Sequence, residues 1–408
     1  MRGAKLHWAL RLATLCLVAV TVSCAQSAGE GSGAFPLSAA CPESFVLDSE
    51  GRCALDHWYY EYGRYPMFHA VHTDLPELRT GTPQQIDLGR YLFFDPLLSG
   101  DGTISCAHCH HPDHSLADGR GRGMGVGGSG VGPQRSGGTL LPRGAPPLWN
   151  VGFFDVLFLD GRAPNLAEQA KGPLFSPIEM NNTPVKLEAS LNANPSYQRL
   201  FRQAFELDAG DPITTELVTR ALASFEATLI SLDSPYDHYV RGDDSAVSSA
   251  AIKGFLQFHS LGIRFCVDCH PPPLFTDSDL SVIGAPDAQG QPFDPGAEAT
   301  TGDPELRGAF RNTPLRNAAL TGPYMHSGGI ESLHDAVDFY NKPGGHRLPE
   351  GEQVKLHWLM AHRWSPIVDR DIQNLAAFLE ALTDESHMPE VPRAVPSGLP
   401  VVPTRTGR

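Results

Sequence analysis

Cys106-Ala107-His108-Cys109-His110 and Cys266-Val267-Asp268-Cys269-His270 are two copies of one pattern, C-x-x-C-H, and their reading decides the fold. In this pattern two thiols can add across the two vinyl groups of one macrocycle, while the adjacent histidine sets an imidazole on its iron. It is the attachment signature of c-type haem. At this Cys and His content, two chance matches in one chain have a probability of about 2 × 10⁻⁵. A closed zinc site needs four ligands per ion, and a thioredoxin-like redox pair leaves both trailing histidines unexplained. Two covalently bound haems c are therefore expected, one on Cys106, Cys109 and His110 and the other on Cys266, Cys269 and His270. The interval from 110 to 270 leaves room for one domain around each.

The rest of the composition fits an exported globular protein. The 408 residues carry 31 Lys+Arg against 46 Asp+Glu, a formal net charge of −15, with 41% hydrophobic residues. That excludes a disordered chain and a small stapled toxin, and the acidic balance argues against nucleic acid as a partner, since phosphate neutralisation needs a basic surplus. Arg2, Lys5 and Arg11 precede the apolar run Leu12 to Val22, and small residues Ser23, Ala25 and Ala28 follow. Residues 1–25 read as a secretory signal. The run is shorter than the roughly 20 residues needed to cross a bilayer, so no membrane span is expected. Cys24, after Thr21-Val22-Ser23, leaves a lipid anchor as the alternative.

Export changes the meaning of the cysteines that remain outside the haem motifs. Cys41 and Cys53 lie in an N-terminal extension, residues 26–82, with no metal-ligand pattern around them, and a disulfide clip is expected there. Helical periodicity is clear in Leu217 to Leu232, Ala250 to Leu261 and Asp371 to Leu382, while alternating strand patterns are scarce. Gly119 to Gly138 is so rich in glycine that it must be loop, either a flexible linker or a mobile cover near the first haem. The fold class is mainly α with long irregular loops. Residues 83–240 are expected to form the first haem domain, 241–383 the second, and 384–408 a Pro-rich tail.

At this point a family resemblance can be stated on particular residues. Leu88-Gly89-Arg90-Tyr91-Leu92-Phe93-Phe94-Asp95-Pro96 and Asp101-Gly102-Thr103-Ile104-Ser105-Cys106 resemble the entrance to the first haem of bacterial di-haem cytochrome c peroxidases. Asp160-Gly161-Arg162-Ala163 through Glu179-Met180 resembles their distal segment. Thr313-Pro314-Leu315-Arg316-Asn317 and Thr321-Gly322-Pro323-Tyr324-Met325-His326-Ser327-Gly328-Gly329 resemble the stretch after their second haem. The likeness runs from about residue 83 to about residue 383.

The resemblance implies two cytochrome c-like helical domains in a periplasmic oxidoreductase. The haem on His110 would react with hydrogen peroxide. Glu179 and Gln169 would stand on its distal side as catalytic residues, the carboxylate moving a proton between the two peroxide oxygens. Where related chains cap that iron with a loop histidine, the Gly119–Arg143 loop has none, which implies a five-coordinate iron with its sixth position open. Where they carry an axial methionine on the second haem, this chain has Tyr340, the mark of the MauG-type branch. A phenolate favours ferric and higher states, whereas a thioether favours ferrous iron. Leu159 stands where relatives place a tryptophan between the haems, so either the haems communicate directly or Trp149, Trp358 or Trp364 supplies the relay, Trp149 being the candidate. Calcium would be held by carbonyls of Thr321 and Pro323, with Gly144 standing where relatives supply an asparagine.

Three functions follow as expectations. The first is a MauG-like enzyme in which peroxide generates a high-valent di-haem state that oxidises an aromatic residue, Trp, of an exported partner protein, as in MauG-type and MbnH-type relatives. The second is a conventional cytochrome c peroxidase that reduces hydrogen peroxide with electrons from a small cytochrome or cupredoxin. The third is a non-catalytic di-haem electron carrier.

Overall fold

A computed structural model describes residues 35–61, 74–259, 266–341, 348, 350–362 and 366–405. The signal segment, Cys24 and Trp364 lie outside the described residues. After a short antiparallel pair, β1 (Phe45–Leu47) and β2 (Cys53–Leu55), the first helices are α1 (Pro83–Phe94), α2 (Cys106–Cys109), α3 (Leu166–Phe175), α4 (Pro184–Asn192), α5 (Pro195–Phe205) and α6 (Thr215–Glu226). Then come α7 (Pro235–Val240), α8 (Ser249–Phe258), α9 (Cys266–Cys269), β3 (Leu280–Ser281), α10 (Glu298–Thr301), β4 (Phe310–Arg311), α11 (Leu333–Asp338), α12 (Trp358–Ala361) and α13 (Asp369–Glu380). The expected mainly helical class, with few and short strands, is what the structure has.

Each haem motif is preceded by a helix that crosses a later helix at a glycine. A Cβ on Gly89 of α1 would lie 2.0 Å from the Ala221 carbonyl oxygen of α6, and one on Gly254 of α8 would lie 2.0 Å from the Asn374 carbonyl oxygen of α13. Backbones this close tolerate no side chain at the crossing. Phe225 and Phe378 flank the two contacts in the same way. Around the first crossing α1 buries Leu88, Leu92, Phe93 and Phe94 completely. Its start is fixed by a capping box, in which the Thr82 side chain accepts from the Gln85 N–H while the Gln85 side chain accepts from the Thr82 N–H at 3.1 Å. Around the second crossing the rings of Tyr236, Phe255, Phe258, Phe275 and Phe378 pack with centroids 5.2 to 6.0 Å apart. Each such buried side chain contributes roughly 1.5–3 kcal/mol.

One expectation shifts by a few residues. Tyr236 and Val240 of α7 pack in the second aromatic core, and the Tyr236 N–H donates to Ala381 O at 3.0 Å. The apolar stripe from Leu217 to Leu232 is helical as far as Glu226. Beyond it Leu229, Ile230 and Leu232 remain buried in tight turns, because the Asn150 side chain pairs with both backbone groups of Ser231 and draws the chain off the helix axis.

The extension and the tail both lie on the first core. Cys41 and Cys53 are joined by a disulfide. The Thr80 N–H donates to Cys53 O at 2.8 Å and the Ser38 N–H to the Asp87 carboxylate at 2.9 Å. In the tail, Val395 and Val402 are buried, Ser397 Oγ donates to Asp95 at 2.6 Å, and the Arg405 N–H donates to Asp113 at 2.7 Å. Residues 37–408 form one compact unit. Among the described residues no helix is long and apolar enough to cross a membrane.

Candidate active site

Both motifs fold as a single helical turn, which brings the two thiols to one side and the following histidine to the end of the turn. The four motif cysteines are not joined in disulfides. His110 Nδ1 sits 3.2 Å from Leu116 O, and His270 Nδ1 sits 3.0 Å from Phe275 O. A carbonyl can only accept, so both rings carry their proton on Nδ1 and present an Nε2 lone pair, the tautomer an iron ligand needs. Both anchoring residues are left-handed, Leu116 at φ 58° and Phe275 at φ 56°, so the two turns are built alike. Burial holds His110 down to about 4 and lowers His270, which keeps both imidazoles neutral. The neighbouring histidines are used otherwise. His108 Nδ1 accepts from the Ser105 N–H at 3.0 Å, and His111 accepts from the Asp113 N–H while its Nε2 donates to Pro403 O at 3.0 Å.

Charged groups crowd the first motif. Burial pushes the Cys109 thiol up to about 12; Asp118 and Glu179 add to the rise, and Arg135 and Arg120 oppose it. Burial raises Cys106 as well, with Glu226 as the nearby charge. Glu179 thus lies in electrostatic reach of the motif, in the turn that follows α3. Gln169, on α3 itself, makes no side-chain hydrogen bond to the motif among the described residues. Gly119 to Arg143 is neither a linker nor a loose cover. It doubles back as a hairpin, with the Gly125 N–H on Thr139 O at 2.8 Å and the Ser129 N–H on Ser136 O at 2.9 Å. The buried Arg135 guanidinium donates to the carbonyls of Met124, Gly125 and Gly130, each at 3.0 Å. The hairpin presses on the Glu179 turn: the Val126 N–H donates to Glu179 O at 2.8 Å, and a Cβ on Gly125 would meet Ile178 O at 1.9 Å.

Two acids at this motif escape sequence reading. Asp118 is 2% exposed with no partner on Oδ2, and burial raises it to about 7. Glu226 is 6% exposed with no partner on Oε2, and burial raises it to about 8. The available signals were an acid inside the apolar stretch Phe225 to Leu229, and the repeated order Leu116-Ala117-Asp118 and Phe275-Thr276-Asp277 after the two motifs. Buried, unsatisfied carboxyl oxygens beside free thiols suit a site completed by a bound group.

At the second motif, α11 leads into a 3-10 turn, Phe339–Asn341, in which Phe339 is fully buried and Tyr340 packs beside it. Burial raises the Tyr340 phenol, and the Cys266 and Cys269 thiols add to the rise. The phenol therefore lies within electrostatic reach of both thiols. Leu333 and Val337 of α11 pack on the same core as Cys266 and Val267.

The two halves meet in a polar and aromatic seam. Arg143 bridges Asp160 at 2.7 Å and Asp294 at 2.7 and 2.9 Å. Its guanidinium lies over Phe310, which stacks on His326 at 4.2 Å, and His326 Nε2 meets Asp287 at 2.8 Å. Leu159 O accepts from the Arg311 N–H at 2.7 Å in this seam. Trp149 is buried and donates to Ser115 Oγ at 2.9 Å, next to the residue that anchors His110. Trp358 is 47% exposed. Thr321 and Pro323 lie in one turn, and the Gly144 N–H donates to His326 O at 2.9 Å nearby in sequence. Among the described residues no cluster of acidic, His or Cys side chains forms a metal site.

A family model described as di-haem cytochrome c peroxidase matches residues 83–245. The methylamine utilization protein MauG of Methylorubrum extorquens is 36% identical over 312 residues, covering 76% of this chain and 81% of the relative. Cytochrome c551 peroxidase of Pseudomonas aeruginosa is 35% identical over 333 residues, covering 80% of this chain and 87% of the relative. The solved structure of the diheme peroxidase BthA from Burkholderia thailandensis shares a TM-score of 0.64 at 26% identity, covering 79% of this chain and 91% of that one.

Proposed function

Since this chain belongs to the di-haem cytochrome c peroxidase family, whose members are peroxide-using oxidoreductases with haem cofactors, we propose that its own reaction is MauG-like. In this reading it spends the oxidising power of hydrogen peroxide on an aromatic side chain, Trp, of an exported partner protein. Each peroxide takes up two electrons and two protons to give two waters, and the partner's indole supplies both electrons and releases two protons. The haems, attached through Cys106 and Cys109 and through Cys266 and Cys269, would supply the iron that peroxide oxidises and a second iron that shares the oxidising equivalent.

The chain's own residues have separable tasks. His110 and His270 would be the axial imidazoles, each oriented by a backbone carbonyl. Glu179 would take a proton from one peroxide oxygen and return it to the other, with Gln169 helping to orient the molecule. The pinned hairpin, with Arg135 at its centre, keeps bulk water away and sets a fixed positive charge near the first motif. Tyr340 would give the second iron an oxygen donor. Burial opposes loss of the phenol proton, so the driving force for phenolate formation must come from the ferric ion itself. Calcium on the Thr321 and Pro323 carbonyls and export to the periplasm through residues 1–25 belong to the same proposal.

The observation that supports this reading best is the burial of Tyr340 within electrostatic reach of both thiols of the second motif. The test is a stoichiometric peroxide titration of the purified diferric protein, wild type and Tyr340→Phe. Persistent oxidation without added reductant, lost in the variant together with the second haem's optical and EPR signature, is the expected result. Ready turnover with a reduced small cytochrome, and a second haem spectrum indifferent to Tyr340→Phe, would turn the assignment to a conventional peroxidase.

A further inference from the structure

Arg311 is the most isolated buried charge among the described residues. It is 6% exposed, and its Nε and Nη1 have no hydrogen-bond partner. No carboxylate offsets it; burial alone lowers it, to about 10. Its guanidinium carbon lies 5.1 Å from the centre of the Phe154 ring, which comes from the first half of the chain. The other buried arginines are provided for: Arg316 has Asp237, and Arg135 has backbone carbonyls. A guanidinium cannot shed its proton, so an unpaired one in the interior is strongly unfavourable unless an anion arrives.

The position of Arg311 says which anion. Its strand, β4, pairs with β3, placing Arg311 opposite Leu280, and the next residue of β3, Ser281, lies close enough to the Cys269 thiol to moderate its rise. Asn312, next in sequence, donates to Asp277, which follows the second motif. On the other side the Arg311 N–H is held by Leu159 O, in the seam toward the first motif. A planar fork of donors buried in this seam, on the strand pair that runs beside the second motif, matches a carboxylate, and the carboxylates that the cofactors bring are their propionates.

We propose that Arg311 is the seat of a haem propionate in the seam between the two halves, forming a charge-assisted pair with the carboxylate of one haem. This rests on the di-haem reading. The pair ties that haem's charge to a residue hydrogen-bonded to the opposite half, so it sets the haem's potential as well as its position. Removing the cation stabilises the more positive ferric state and lowers the midpoint.

The test uses the haem-loaded protein and the variants Arg311→Gln and Arg311→Lys, with Arg162→Gln as an exposed control. Haem content by pyridine haemochromogen comes first; fewer than two haems in the wild type would overturn the di-haem reading itself. With two haems present, resonance Raman propionate bending bands and pH-resolved spectroelectrochemical midpoints are measured. Arg311→Gln should shift the propionate bands and lower one midpoint, which becomes more pH-dependent, while the other midpoint stays put. Arg311→Lys should move the same signals less, and it keeps the test open if the Gln variant does not load haem. The midpoint that also moves in Tyr340→Phe marks the second haem as the source, and the other marks the first. Unchanged bands and midpoints in both Arg311 variants would overturn the proposal while leaving the di-haem reading intact.

Discussion

Replacing Asp237 by Asn should destabilise the protein and disturb the second haem site selectively. Asp237 and Arg316 have fully buried side chains and form a bidentate pair, with both N···O distances at 2.7 Å. Arg316 Nε also donates to Pro273 O at 2.7 Å, three residues past His270, so the pair clamps the turn that carries the second motif. Removing one member of such a pair costs about 3–5 kcal/mol, because the remaining charge is stranded in the interior. The Arg316 guanidinium holds the Asp237 carboxyl below its usual range against the opposing effect of burial. Its contribution is therefore present above the unfolded carboxyl value of about 3.9 and lost as pH falls through the lower folded value. Urea unfolding of the haem-loaded protein at pH 7 should show the loss in Asp237→Asn, and the acid limb of its stability profile should be flatter than in the wild type. The double variant Asp237→Leu/Arg316→Met should be more stable than Asp237→Asn alone. A loss under about 1 kcal/mol in Asp237→Asn, or equal spectral change at both haems, would refute the reasoning.

Two further predictions concern the first motif. Burial raises Glu226 to about 8, so the folded chain keeps a proton that the unfolded chain releases, and stability falls as pH rises from about 4.5 to about 8. Glu226→Gln should remove that slope, with a gain over the wild type of at most about 5 kcal/mol at pH 9 and little difference at pH 5, read by urea unfolding at the two pH values. Gly125→Ala would drive a Cβ to within 1.9 Å of Ile178 O, lifting the hairpin from the Glu179 turn. About 1–3 kcal/mol of stability should be lost, and stopped-flow reaction with peroxide should slow while the second haem's spectrum stays the same.

The haem motifs were legible because their chemistry demands fixed local spacing, and the helical class because apolar stripes at helical period survive in any context. The helix crossings were harder. Gly89 and Gly254 are ordinary-looking residues inside helical patterns, where glycine normally weakens a helix. Their purpose lies in Ala221 and Asn374, more than a hundred residues away, and no local reading supplies that. Asp118, Glu226 and Arg311 escaped for a related reason. In sequence each is an unremarkable charge, and its meaning comes from burial without a partner. The Gly-rich segment was correctly read as loop, but its rigidity comes from Arg120, Arg122 and Arg135 bonding to loop carbonyls, a use of arginine that composition does not reveal.

That rigidity bears on how the first site opens. A loop that must swing away to admit peroxide needs few anchors and a side chain to withdraw. The Gly119–Arg143 segment has no histidine to withdraw, and it is tied at several points. Val126 is bonded to Glu179, Gly123 and Arg143 are bonded to each other, and Gly121 packs so closely on Gly328 of the other half that a Cβ on Gly328 would lie 2.1 Å from its Cα. Arg143, at its end, is locked between Asp160 and Asp294. Swinging the loop would break these contacts together and pull the half-buried Arg143 from Asp160 and Asp294, which makes a gated first site energetically unfavourable. The same anchors cross from one half to the other, so they also fix the separation of the two motifs. Sharing of an oxidising equivalent across this seam would then be governed by a constant distance and by the charges built into it, Arg311 among them, and not by a conformational step.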